Sequence, residues 1–170
     1  MGNQSSTTNY TDNHIANYHQ YPEFVPTKPG VFVLEKPHKV YKVVNCPKPN
    51  TGDDKCIATL VVPTGSKIVV PEINTCVEWF NDGSQYPECS KYTISIGDKM
   101  RTDNAIVVNV DCHKRNNCDD ICTSWIINNS EVRYKKGNIV KPEFEFNTSI
   151  QSECKSGIHF FGTRENAEKY

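Results

Sequence analysis

No apolar run in this chain of 170 residues approaches the roughly 18 that a membrane-spanning helix needs. An excess of one charge is missing too. Nineteen Lys and Arg stand against 20 Asp and Glu, a formal net charge of -1, so no basic field calls for nucleic acid. Hydrophobic residues make up only 36% and mean hydropathy is -0.60, which points to a small, loop-rich fold or a partly unstructured chain. The polar N-terminus lacks the apolar core of a secretory signal, so a protein that is not secreted is expected. Phosphate-binding glycine loops, zinc-protease and nucleophile-elbow motifs and calcium loops are all absent from the sequence. Lys outnumbers Arg 15 to 4, and there are 17 Asn and 13 Ile, the residues of AT-rich codons. That bias reads as a genome signature and suits AT-rich protists, some bacteria and many large DNA viruses.

What the chain does contain divides at Gly30. Residues 1–29 hold no Cys and almost no aliphatic side chains, and are rich in Asn, Thr, Ser and Tyr. Such a composition buries too little apolar surface to offset the entropy of ordering, so a mobile arm is expected. Its Tyr10, Tyr18 and Tyr21 are available to dock on a partner. From Gly30 onward, short β-branched or aromatic runs alternate with Pro, Gly, Asn and Asp clusters. VFVL (31–34), KVYKVV (39–44), IATLVV (57–62), KIVV (67–70), YTISI (92–96) and AIVVNV (105–110) read as strands. Weaker strands are expected at 124–128, 131–135 and 157–161. The 3.6-residue period is missing except at the C-terminus, where TRENAEKY reads as a short helix capped by Thr163 with Glu165 in its first turn. The expected fold is therefore α+β and β-rich: one domain over 30–170, a mainly antiparallel sheet, a short C-terminal helix and a mobile N-terminal arm.

The opening residues Met1-Gly2-Asn3-Gln4-Ser5-Ser6 fit the N-myristoylation pattern, which needs Gly2 as a free amine after loss of Met1 and a hydroxyl at position six. A single acyl chain binds bilayers weakly, and no polybasic cluster follows, since the first lysine is Lys28. Stable membrane contact through this N-terminus would need many copies, as on an assembling particle.

Eight cysteines all follow the arm: Cys46, Cys56, Cys76, Cys89, Cys112, Cys118, Cys122 and Cys154. Three readings are open. Cys112, His113, Cys118 and Cys122 form the densest cluster and offer thiolate and imidazole ligands for tetrahedral zinc, although with looser spacing than the usual knuckle. The even count and the Pro/Asn-rich loops allow disulfides, against the lack of a secretory signal. The default is reduced cysteine acting as a small hydrophobe in a β core. Nothing marks one cysteine as an activated nucleophile beside His113 or His159. The Asn-x-Ser/Thr sequons are the chance product of an Asn-rich chain, and no glycan is expected.

The C-terminal run Cys154-Lys155-Ser156-Gly157-Ile158-His159-Phe160-Phe161, followed by Thr163, Glu165, Ala167 and Tyr170, resembles the end of an uncharacterised domain common in giant DNA viruses and often found after pentapeptide repeats. ATLVVPTGSKIVVP (58–71) and VRYKKGNIVKPEFEFN (132–147) resemble two further pieces of that family, so the resemblance extends over about 38–170. It implies a viral origin and carries no established activity. The cysteine-rich 111–122 loop departs from the family pattern. Taken by itself, the C-terminal run reads as a tight turn at Gly157 and a buried strand packing on a helix whose Ala167 and Tyr170 face back. Gly-Ile-aromatic-Phe with Ala-x-x-Tyr is also similar to a stretch of ADP-ribosyltransferases that lines the nicotinamide pocket. Here Tyr41-Lys42-Val43 replaces the usual His-Gly or Arg-Gly, and no catalytic Glu follows the helix.

These observations lead to the expectation of a non-enzymatic structural or adaptor protein of a large DNA virus, a minor capsid or virion component. Its partners would be other viral structural proteins, with membrane contact through the N-terminus and none with nucleic acid. It would reside in the virion, and in host cytoplasm or at a membrane during assembly. The alternatives are a degenerate ADP-ribosyltransferase-like nucleotide-binding domain and a zinc-stabilised interaction module. No cofactor is expected apart from zinc in that last case.

Overall fold

The richest β-branched runs become the longest strands. A computed structural model of the chain describes residues 4–48, 52–72, 99–112, 118, 120–124, 132–151 and 155–170. Helix α1 (Gln4–Asn17) comes first. Strands β1 (Gly30–Val33), β2 (His38–Lys48), β3 (Gly52–Val62), β4 (Lys67–Val70), β5 (Lys99–Thr102), β6 (Ala105–Cys112), β7 (Thr123–Ser124), β8 (Ile139–Val140) and β9 (Ile158–Phe161) follow, and helix α2 (Arg164–Lys169) closes the chain. The strands form one sheet in the order β1-β4-β5-β9-β2-β3-β6-β8, with β7 added on β2. Every pairing between named strands is antiparallel.

The sheet divides at a thin joint, because β9 meets β2 through the single pair Phe161–Tyr41. On either side the inward side chains share one core. Val40, Val44 and Cys46 of β2, Cys56, Ala58, Leu60 and Val62 of β3, Ile68 and Val70 of β4, Met100 of β5 and Ile158 and Phe160 of β9 belong to one buried cluster. The inward side chains of the two halves thus meet in that cluster.

The central strands are buried on their outer face as well, by two separate covers. Helix α2 lays Ala167 on Tyr41, Val43, Ile57 and Phe161. It starts as the sequence indicates, with the Thr163 hydroxyl accepting from Asn166 N at 3.3 Å and Glu165 in the first turn. The second cover is the N-terminal segment. Ile15, Tyr18 and Tyr21 pack on Val61, Ile106 and Val108, the Tyr41 hydroxyl donates to Glu23 Oε1 at 2.8 Å, and Lys39 N donates to Pro22 O at 2.9 Å. Residues 10–24 are thus held far more closely than an arm without core contacts. The composition of 1–29 hid this because three apolar or aromatic side chains suffice when the surface they cover has already been built by other strands.

Two local readings change. The run 97–104 reads as a turn, yet Lys99–Thr102 is a strand with Met100, Arg101 and Thr102 buried, and among the described residues the chain bends at Asp103. Pairing with β4 and β9 overrides the weak local propensity of Lys-Met-Arg-Thr. The expected strands at 92–96 and most of 124–128 lie outside the described residues. Gly157, read as a turn residue, does not have positive φ. A Cβ there would lie 2.9 Å from the Arg101 side chain, so its glycine is required by close approach.

Gly162 is tighter still: a Cβ there would sit 2.3 Å from Phe24 O and 3.1 Å from Met100 Cε. Gly162→Ala is expected to lower stability by about 2 kcal/mol, the range for overpacking a filled site, and to push residues 22–24 off β2. Urea unfolding checks the first effect and protease nicking within 18–30 the second. An unchanged midpoint with unchanged nicking would show that this approach is not close.

Candidate functional site

Four of the cysteines stand in a row on the inner face of four neighbouring strands. Register explains the row. Asn45 pairs with Thr123, which places Cys46 of β2 opposite Cys122, just before β7. Cys56 of β3 pairs directly with Cys112 of β6. Val44 pairs with Cys56, so Cys46 and Cys56 are diagonal neighbours on one face. The opposed pairs are disulfides: Cys46–Cys122 with Cα atoms 4.4 Å apart, and Cys56–Cys112 with Cα atoms 4.3 Å apart. The default reading of uniformly reduced cysteines gives way for these four, because exact cross-strand opposition brings each pair of sulfurs within bonding distance.

A fifth sulfur joins them. Among the described residues Cys118 is the free cysteine, and it is buried, as are the four bonded ones. Its backbone N donates to Val110 O at 2.9 Å, and its thiol points to Asp120 Oδ2 at 3.8 Å. The sulfurs of Cys46, Cys118 and Cys122 all lie within 4.8 Å of one another, and so do those of Cys46, Cys56 and Cys112. Cys46 is thus within reach of every other sulfur in the cluster.

The structure distributes the quartet that the sequence offered for zinc. Cys112 is paired with Cys56 and Cys122 with Cys46, Cys118 lies beside Cys46 and Cys122, and His113 lies outside the described residues. Sequence spacing suggested a local loop site, but the pairing of β2 and β3 with this loop supplies Cys46 and Cys56 as the partners. Gly2, Cys76, Cys89 and Cys154 also lie outside the described residues.

Beside the sulfur row sits a buried lysine that the sequence did not single out. Lys42 alternates with Tyr41 and Val43 and so points inward with Val40 and Val44. Its Nζ donates to His159 O at 2.8 Å and lies 5.5 Å from the centre of the Tyr134 ring. Burial, with a smaller contribution from the charge of Lys99, lowers its pKa to about 7. Tyr134 in turn exchanges two backbone hydrogen bonds with Cys122, and burial raises the pKa of its phenol. The only sequence signal for Lys42 was a lysine at an inward position between Val40 and Val44.

The residues of the C-terminal run are spent on packing. Ile158 and Phe160 enter the main core, and Phe161 and Ala167 join the outer cluster under α2. Tyr170 is partly exposed, its ring 5.1 Å from that of Phe161. His159 is half-buried opposite Arg101, and its carbonyl receives Lys42. Where the resemblance to ADP-ribosyltransferases implies a nicotinamide pocket, the methylenes of Arg101 fill the space over Gly157. Arg101 is itself fully buried, its Nε 3.0 Å from Asn147 O and its Nη2 also bonded to Ser149 O, and so ties the 147–149 segment to β5.

Residues 85–167 match a family of unknown function, DUF5758. The matched span supplies Cys112, Cys118, Cys122 and the strand Ile158–Phe161, whereas Cys46, Cys56 and Lys42 precede it. The match is shorter than the resemblance read from the sequence, which began near residue 38. No curated protein and no solved structure matches the chain.

Proposed function

We propose that this chain is a non-enzymatic structural or adaptor protein, whose disulfide-braced β domain serves as a rigid platform for partners. The observation that carries this reading is the use of the C-terminal run: Ile158, Phe160, Phe161 and Ala167 are all buried in packing clusters. Two disulfides across the central strands suit a part that must keep its shape rather than open around a substrate. The finer reading is a minor virion component of a large DNA virus, supported by the Lys, Asn and Ile bias and by the resemblance of the C-terminal run. Attachment to a membrane would come from acylation of Gly2; among the described residues no helix is long and apolar enough to cross one.

Mass spectrometry of purified particles of the encoding virus tests this. The protein is expected among the particle components, with an intact mass carrying one myristoyl group in place of Met1. Absence from particles together with abundance in infected cytoplasm would overturn the virion assignment. An intact mass with free Gly2 would remove the acyl anchor and leave the platform reading standing.

A further inference from the structure

We infer that Cys118 and the Cys46–Cys122 bond form a thiol–disulfide exchange site, in which Cys118 displaces Cys122 from Cys46. The three sulfurs are close enough for the reaction once Cys118 turns into line with the Cys46–Cys122 bond. Nucleophile, central sulfur and leaving sulfur lie within 4.8 Å of one another. Cys46 is fixed on β2, paired along its length with β3, so it is the stationary sulfur. Cys118 and Cys122 are four residues apart on one segment, each within reach of Cys46. Asp120 lies between them and serves both. Its carboxylate Oδ2 is 3.8 Å from Cys118 Sγ, and its carbonyl oxygen is 3.6 Å from Cys122 Sγ. A thiol on either cysteine therefore has an acceptor already in place.

The step is balanced within the chain. Cys118 loses its proton and attacks Cys46 Sγ; the Cys46–Cys118 bond forms as the Cys46–Cys122 bond breaks. The electron pair of the broken bond stays on Cys122 Sγ, which takes up a proton, so one disulfide and one thiol are present before and after, and no external oxidant or reductant is consumed. The burial of all three sulfurs keeps solution thiols from competing, so the exchange is internal.

The exchange moves a covalent anchor. In the observed state Cys122 ties the start of β7 to β2, next to the Asn45–Thr123 and Val44–Ser124 pairs. After exchange the same segment is tied four residues earlier, and β7 keeps its place by two backbone pairs alone.

Replacement of the leaving sulfur tests this directly. Cys122→Ser protein, refolded from urea in a glutathione redox buffer that supplies the two-electron oxidant, would be blocked with N-ethylmaleimide at mildly acidic pH, digested and mapped by mass spectrometry. The expected product is a Cys46–Cys118 linked peptide with Cys56–Cys112 unchanged. Recovery of Cys46 and Cys118 both as alkylated thiols, or Cys46 linked to any other cysteine, would overturn the inference. Should Cys122→Ser fail to fold, the same map of the wild-type protein decides. A Cys46–Cys118 peptide alongside Cys46–Cys122, lost in Cys118→Ser, supports exchange; Cys46–Cys122 as the sole linkage of Cys46 refutes it.

Discussion

Reduction of the two disulfides is expected to lower the free energy of unfolding by about 5 kcal/mol, a large part of the 5–15 kcal/mol typical of a whole domain. The bonds join residues 56 and 76 positions apart, and the shorter loop lies inside the longer. Closing the inner loop restrains the unfolded chain by about 4 kcal/mol on the chain-entropy account. With it closed, the outer bond adds only the restraint of the roughly 20 residues that remain free in its loop, about 3 kcal/mol, and measured bridges usually deliver less than the account allows. Urea unfolding with and without a phosphine reductant measures the sum, and Cys56→Ala/Cys112→Ala isolates the inner bond. The reduced protein should also show a steeper denaturant dependence, because its unfolded chain exposes more surface. A midpoint that does not move on reduction would mean that the bridges do not brace the sheet.

The second large effect is a rise of stability with pH. Lys42 has a pKa of about 7 in the folded state, against 10.5 in the unfolded chain. Below pH 7 it is protonated in both states, and burying its charge opposes folding in full. Between pH 7 and 10.5 the unfolded chain binds a proton that the folded chain releases, so stability rises with pH. Above 10.5 the lysine is neutral in both states and its penalty is gone. The rise attributable to Lys42 is about 5 kcal/mol over that window. Tyr41 and Tyr134 act in the opposite sense near pH 10 and above, since burial raises both phenols and the unfolded tyrosines ionise first. The measurement therefore belongs between pH 7.5 and 9.5. Lys42→Met should be more stable than wild type at pH 7 and nearly flat across this range, although His159 O loses a donor, a loss of about 1 kcal/mol. Parallel profiles for wild type and Lys42→Met would sink the assignment of a neutral buried lysine.

The two effects arise at neighbouring points of β2, and both bear on what the domain does. The sulfur row braces the centre of the sheet, while the lysine makes that centre weaker at neutral pH than an apolar residue would. A buried amine held by one carbonyl is a weak point beside a strong one, and the exchange site at Cys118 lies on the same face.

Sequence alone determined the parts that rest on local pattern. Short β-branched or aromatic runs between Pro, Gly, Asn and Asp clusters identified β1, β2, β3, β4, β6 and β9, because such runs favour extended backbone and the turn residues end them. Thr163, Glu165 and Ala167 identified the closing helix by its cap, its first-turn acid and its inward face. Tertiary structure alone decided everything that depends on register. Which cysteines pair follows from Asn45 facing Thr123 and Cys56 facing Cys112, and no spacing along the chain encodes that opposition. Lys99–Thr102 became a strand because β4 and β9 offered it hydrogen-bonding edges, not because Lys, Met, Arg and Thr favour extended backbone. Residues 10–24, too polar to make a core, were held because Val61, Ile106 and Val108 had already made an apolar surface that only needed covering. Composition reports what a segment can bury among its own residues, and the fold supplies the surfaces that other segments leave open.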